Sequence, residues 1–145
     1  MIEGLGDINF SLAFAAVGSA LGTGVAGMSA VGSWKKAFAA GKAAPFLLVA
    51  FVGAPLSQTI YGFILMNQIK AVQAGPESYG WLGLMGAVCG LAIGMSAYMQ
   101  GKAGAKACDA LAETGKGFAN YIMVVGVIET VALFVMVFAM TSLPS

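Results

Sequence analysis

Four long runs of apolar residues alternate with short breaks rich in glycine, proline and lysine. Each run exceeds the roughly 20 residues that span a bilayer, and the pattern predicts helices at 8–40, 45–72, 79–112 and 117–142. The breaks carry their own signals. Gly41 suits the left-handed position that ends a helix, and Pro45 suits the first turn of the next. Gly75-Pro76 and Thr114-Gly115 mark the later connections. Short connections make neighbouring helices antiparallel. The expected fold is an all-α membrane protein of four transmembrane helices, one membrane domain over 1–145, built as tandem hairpins at 8–72 and 79–142.

Charge placement then orients the chain. Lys35, Lys36 and Lys42 flank the first connection, and Lys102, Lys106 and Lys116 flank the third. The amino terminus offers only Glu3 and Asp7, and the middle connection holds Lys70 and Glu77. The excess of lysine predicts that the 1–2 and 3–4 connections are cytoplasmic and that both termini lie outside. The start, MIEGLGDINF, lacks the basic region of a signal peptide, so helix 1 is expected to stay as an anchor. Trp34, Tyr79 and Trp81 fall near helix ends and read as interfacial anchors.

Composition agrees and narrows the function. The chain is 59% hydrophobic and 9% charged, far below the charge of about 25% in soluble domains, so lipid is its main solvent. Histidine and arginine are both absent, which excludes histidine catalysis, histidine metal sites and the basic groove that nucleic acid requires. No nucleophile–base pair stands out, so an enzyme acting alone is not expected. Cys89, among glycine and valine, reads as a small buried residue, and the two cysteines do not suggest a disulfide framework.

The hairpins look like copies. GMSA occurs at 27–30 and again at 94–97, 67 residues on, and Gln58 and Glu129 fall at matching depth in the second helix of each half. Helices 1 and 3 each carry small residues four apart, Gly18 and Gly22 on one, Gly86, Gly90 and Gly94 on the other. Such faces let helices approach closely in lipid, either within one bundle or between copies.

Glu129 is the residue that demands a function. It sits inside VVGVIETVALFVM (124–136), where nothing else is charged. A carboxylate at the centre of a lipid-spanning helix costs roughly 3 kcal/mol or more unless compensated, so such residues mark ion pathways. A polar set can converge on it. Positions 54, 57, 58 and 61 share one face of helix 2, offering the side chains of Ser57, Gln58 and Tyr61. Pro55 removes a backbone donor and loosens the helical ladder beside them. Gln100 on helix 3 and Glu129 are equidistant from the break at Thr114-Gly115, so the two can meet. One carboxylate neutralises one monovalent cation, and hard cations take oxygen ligands. A proton would need only the carboxyl and one partner, so the further neutral oxygens favour Na⁺ over H⁺. Tyr61 would hold the carboxylate from behind. Lys102, less than one turn beyond Gln100, must snorkel or face a protected interior.

With these residues assembled, PLSQTIYGF (55–63), MQGK (99–102) and VIETVALF (127–134) carry a resemblance across nearly the whole chain. The sequence resembles the duplicated four-helix proteolipid (c or K) subunit of V-type rotary ATPases, of the bacterial sodium-translocating type. The resemblance implies identical copies in a rotor ring that turns against a stationary membrane subunit, which supplies a cationic residue to the empty carboxylate. It implies that ATP hydrolysis occurs in soluble partner subunits and that the cytoplasmic connections face central-stalk subunits. It implies a bacterial cell membrane, with lipid around the ring. Position by position, it implies that the Na⁺ ligands are Glu129, Gln58, Gln100, Ser57 and the main-chain carbonyl of Ala54, with Tyr61 bonded to Glu129. Ser57 stands where that family commonly has threonine, and the hydroxyl survives. Gln58 stands where an unduplicated subunit would have its acid, which gives one site per four helices. Three other readings stay open: the same rotor carrying H⁺, a small cation-coupled four-helix transporter, and a purely structural membrane protein.

Overall fold

In lipid, every backbone polar group must find its partner within its own segment, so long apolar runs fold as helices. The computed structural model describes residues 6–73 and 75–144, and no strand occurs among them. The helices are α1 (Phe10–Ala39), α2 (Leu48–Gly53), α3 (Ser57–Ala71), α4 (Tyr79–Thr114) and α5 (Phe118–Thr141). A 3₁₀ turn at Ala54–Leu56 joins α2 to α3, and the whole of Leu48–Ala71 forms one span. Among the described residues four spans are therefore long and apolar enough to cross a membrane, as the sequence pattern predicts.

The ends of these helices follow local chemistry. Gly41 and Gly115 both take the left-handed conformation, with φ of 65° and 67°, where a side chain would be strained. Pro45 departs from expectation. The helix begins at Leu48, and Pro45 opens the preceding turn, its carbonyl accepting both from Leu48 N at 3.4 Å and from Trp34 Nε1 at 3.0 Å. Trp34 is thus a tie between α1 and the first connection as well as an aromatic near a helix end. At the other end, Asp7 is fully buried and caps α1: its carboxylate accepts from Asn9 N at 3.0 Å, from Ser11 N at 2.7 Å and from Ser11 Oγ. In the sequence the terminal acids read only as charges; Asp7 proves to be a cap, and Glu3 lies outside the described residues.

α4 is the hub of the bundle, packing on all the other helices and most extensively on α1. The small-residue faces are what bring these two together within one chain. A methyl group built on Gly18 would overlap the backbone of Gly94, and one on Gly101 would overlap that of Gly22. The open choice between packing inside the bundle and packing between copies is settled, for these glycines, in favour of the bundle. The serines of the repeated GMSA motif act alike: Ser29 Oγ donates to Ala105 O at 2.7 Å, and Ser96 Oγ donates to Ile128 O at 2.8 Å.

The apolar core divides into two clusters. One gathers Ala15, Leu65, Ile69, Leu82, Ile93, Ala132 and Ala139; the other gathers Ala30, Leu48, Phe51, Ala107, Cys108, Leu111 and Val125. Along each of the last three spans a polar residue stands between the clusters: Gln58, Gln100 and Glu129. Cys108 is the fully buried cysteine, whereas Cys89 is only half-buried, because the packed face of α4 at that level is Gly86 and Gly90. Both are free thiols.

Candidate cation-binding site

The polar layer is built from three spans. Pro55, inside the 3₁₀ turn, has no N–H to donate to Phe51, and the backbone tightens there before α3 resumes at Ser57. That turn sets the Ala54 carbonyl beside Ser57, whose hydroxyl lies 3.0 Å from Ala54 O and 3.1 Å from Gln58 Oε1. Gln58 is fully buried and donates through Nε2 to Gln100 Oε1 at 2.8 Å. Gln100, also fully buried, donates through Nε2 to Val125 O at 3.0 Å and to Glu129 Oε2 at 3.2 Å. Tyr61 Oη donates to the other carboxylate oxygen, Glu129 Oε1, at 2.5 Å.

All six residues singled out in the sequence therefore join one continuous hydrogen-bonded chain, running from Ala54 through Ser57, Gln58 and Gln100 to Glu129 and back to Tyr61. The equal depth expected for Gln100 and Glu129 is observed as a direct contact. Each oxygen of the carboxylate has one protein donor, which fixes the plane of the group. No lysine reaches ion-pair distance of Glu129 among the described residues; the ion pair found there is Lys36–Asp109, 3.7 Å apart and exposed at the lysine-rich end. No group of three or more His, Cys, Asp or Glu side chains occurs among the described residues, so multidentate carboxylate or thiolate coordination has no basis in them. The groups that touch Glu129 are the Tyr61 hydroxyl and the Gln100 amide nitrogen. The hydrogen-bonded chain beyond them brings in the neutral oxygens of two amides, the Ser57 hydroxyl and the Ala54 carbonyl. That donor set suits a hard ion of single charge.

Sequence reasoning misses two residues around this layer. Ser96 binds the carbonyl of the residue just before Glu129, and Val125 offers its carbonyl to Gln100. Ser96 lies four residues before Gln100, on the same face of α4, and that spacing is the available signal. Lys102 resolves by turning outward: it is exposed, with Nζ 5.5 Å from the centre of the Tyr98 ring. Thr130 bonds back to its own helix at Val127 O, 2.7 Å away, and takes no part in the layer.

Comparison with curated proteins gives no match. Over residues 83–141, a stretch that includes Gln100 and Glu129 but none of the α2–α3 residues, the chain matches the family model of the ATP synthase C subunit.

Proposed function

We propose that the chain is the rotor-ring subunit of a V-type rotary ATPase and that it carries Na⁺ on Glu129. The observation that carries this reading is the hydrogen-bonded linkage of one mid-membrane carboxylate, through Tyr61 and Gln100, to neutral amide, hydroxyl and carbonyl groups on two other spans. The match of the second hairpin to the ATP synthase C subunit supports the rotor role, since members of that family work as rings in ATPase complexes. The GMSA motif shared by the two halves, whose serines each bond to a neighbouring helix, supports a chain made of two related hairpins. The exposed apolar faces of α1, α4 and α5, with Val17, Leu21, Leu91, Val127, Val131 and Phe134 among them, suit contact with lipid and with further copies.

The chemistry follows from charge. With Na⁺ held by Glu129, Gln58, Gln100, Ser57 and the Ala54 carbonyl, the site is neutral and can face lipid. For an ion to enter, the Ser57 proton would turn away from the oxygens it now bridges. Gln100 Oε1, which accepts from Gln58 Nε2, would offer its second lone pair, while Tyr61 stays bonded to the carboxylate. When the ion leaves, Glu129 is an uncompensated anion and needs water or a cation from a stationary subunit. Rotation driven by ATP hydrolysis in partner subunits would carry each loaded site between the two half-pathways. The lysine-rich connections would lie in the cytoplasm of a bacterial cell, near the central stalk, with the termini outside.

The test is labelling of Glu129 by a hydrophobic carbodiimide, which attacks the protonated carboxyl, across a Na⁺ titration at fixed pH. The expected result is protection by Na⁺ and none by K⁺ at equal ionic strength. Labelling indifferent to Na⁺ would leave a rotor that carries protons.

A further inference from the structure

We propose that Ser96 is a positioning residue for Glu129, setting the depth and rotation of α5 through its backbone; the inference rests on the reading of Glu129 as the ion-carrying group. α5 is the most apolar of the four spans, and apart from Glu129 itself its threonines do nothing to fix its register. Thr130 and Thr141 bond back to carbonyls of α5 itself, at Val127 and Phe138. A slip of one residue would exchange apolar contacts for other apolar contacts. It would also move Glu129 by about 1.5 Å along the axis and about 100° around it, away from Tyr61 and Gln100.

α4 opposes such a slip by donating to the backbone of α5 on successive turns. Ser96 Oγ reaches Ile128 O at 2.8 Å, and Gln100 Nε2 reaches Val125 O at 3.0 Å. The spacing is four residues on α4 and three on α5, one turn of each, as antiparallel neighbours require. A helical carbonyl keeps a second lone pair beyond its ladder bond, so it can accept these donors without breaking the helix. Ser96 is 6% exposed, which leaves its hydroxyl little access to any partner other than the helices around it. Serine in a helix commonly bonds back to its own preceding turn; here it bonds across. The corresponding serine of the first GMSA motif, Ser29, likewise donates to a neighbouring helix, at Ala105 O. Gln100 cannot be tested separately, because its amide also touches Glu129 and Gln58. Ser96 touches neither, so its contribution is separable.

The experiment uses the assembled protein in mild detergent, with carbodiimide labelling of Glu129 read in two ways: the Na⁺ concentration giving half-protection at fixed pH, and the pH profile without Na⁺. Ser96→Ala should raise the half-protecting Na⁺ concentration about five- to tenfold at unchanged assembly mass, the scale of one lost neutral hydrogen bond. The pH profile of its labelling without Na⁺ should also differ from that of the unmodified protein, because the two donors to the carboxylate are less well aligned. Ser96→Thr, which keeps the hydroxyl, should stay close to the unmodified protein in both. Should Ser96→Ala fail to assemble, Ser96→Cys replaces it, with a weaker donor of similar size and an intermediate shift expected. Unmodified Na⁺ and pH midpoints in the assembled alanine or cysteine variant would overturn the inference. If the unmodified protein itself shows no protection by Na⁺, the sodium reading fails alone, and the pH profile still decides the role of Ser96.

Discussion

Glu129 concentrates the chemistry of the chain because it is the acid between two apolar clusters, and the polar side chains that reach it each have a task. Glu129→Gln keeps the volume and removes the charge, so it should abolish both carbodiimide labelling and cation transport while leaving assembly intact, as native mass and flux assays would show. Tyr61→Phe removes one donor to the carboxylate. A hydrogen bond to a charged group contributes about 1.5 kcal/mol, so Na⁺ binding should weaken by roughly tenfold, read from the protection midpoint. If Na⁺ and the proton compete for this carboxylate, as the proposed function requires, the Na⁺ needed for half-protection should rise as pH falls, in the unmodified protein and in Tyr61→Phe alike. These residues are legible because charge and amides are conspicuous in an apolar run and because helical spacing places them on shared faces. Ser96 is not, since a serine among glycines and alanines looks like packing, and its partner is a backbone carbonyl with no trace in residue identity. Asp7 escapes for a similar reason: a carboxylate that caps backbone N–H groups reads, in sequence, as a surface charge.

At the scale of the helices, close approach is the main theme. α1 and α4 touch through glycine backbones, and Gly18 meets Gly94 where no methyl group fits. Gly18→Ala should therefore force the pair apart and destabilise the bundle by about 1–3 kcal/mol, the range for overpacking a filled interior. Gly24→Ala is the control, because a methyl group there meets nothing within 4 Å. Thermal unfolding in detergent should show a lowered midpoint for the first variant and an unchanged one for the second. The four spans and the breaks at Gly41 and Gly115 can be read directly, since length, apolar content and glycine at a chain reversal are local signals. The start at Leu48 cannot, because Pro45 is equally at home in the first turn of a helix and in the turn before it, and the Trp34 bond that decides between them is a contact across the connection. Nor can sequence alone say which partner the glycine faces have: period four is the same whether the neighbouring helix belongs to the same chain or another.

For the whole molecule, the proposed function makes of one acid, its polar layer and two hairpins a unit that loads a single cation. Among the described residues one of the two hairpins has a carboxylate in the polar layer, and the other contributes Gln58, which joins that layer through Gln100. On the proposed function, this architecture predicts one ion per chain. Equilibrium binding of radioactive sodium to the purified assembly measures it most directly, with Glu129→Gln as the reference. The expected result is one Na⁺ per four-helix chain, competed by protons and lost in the Glu129→Gln protein. Absence of saturable binding, or binding that survives Glu129→Gln, would contradict it.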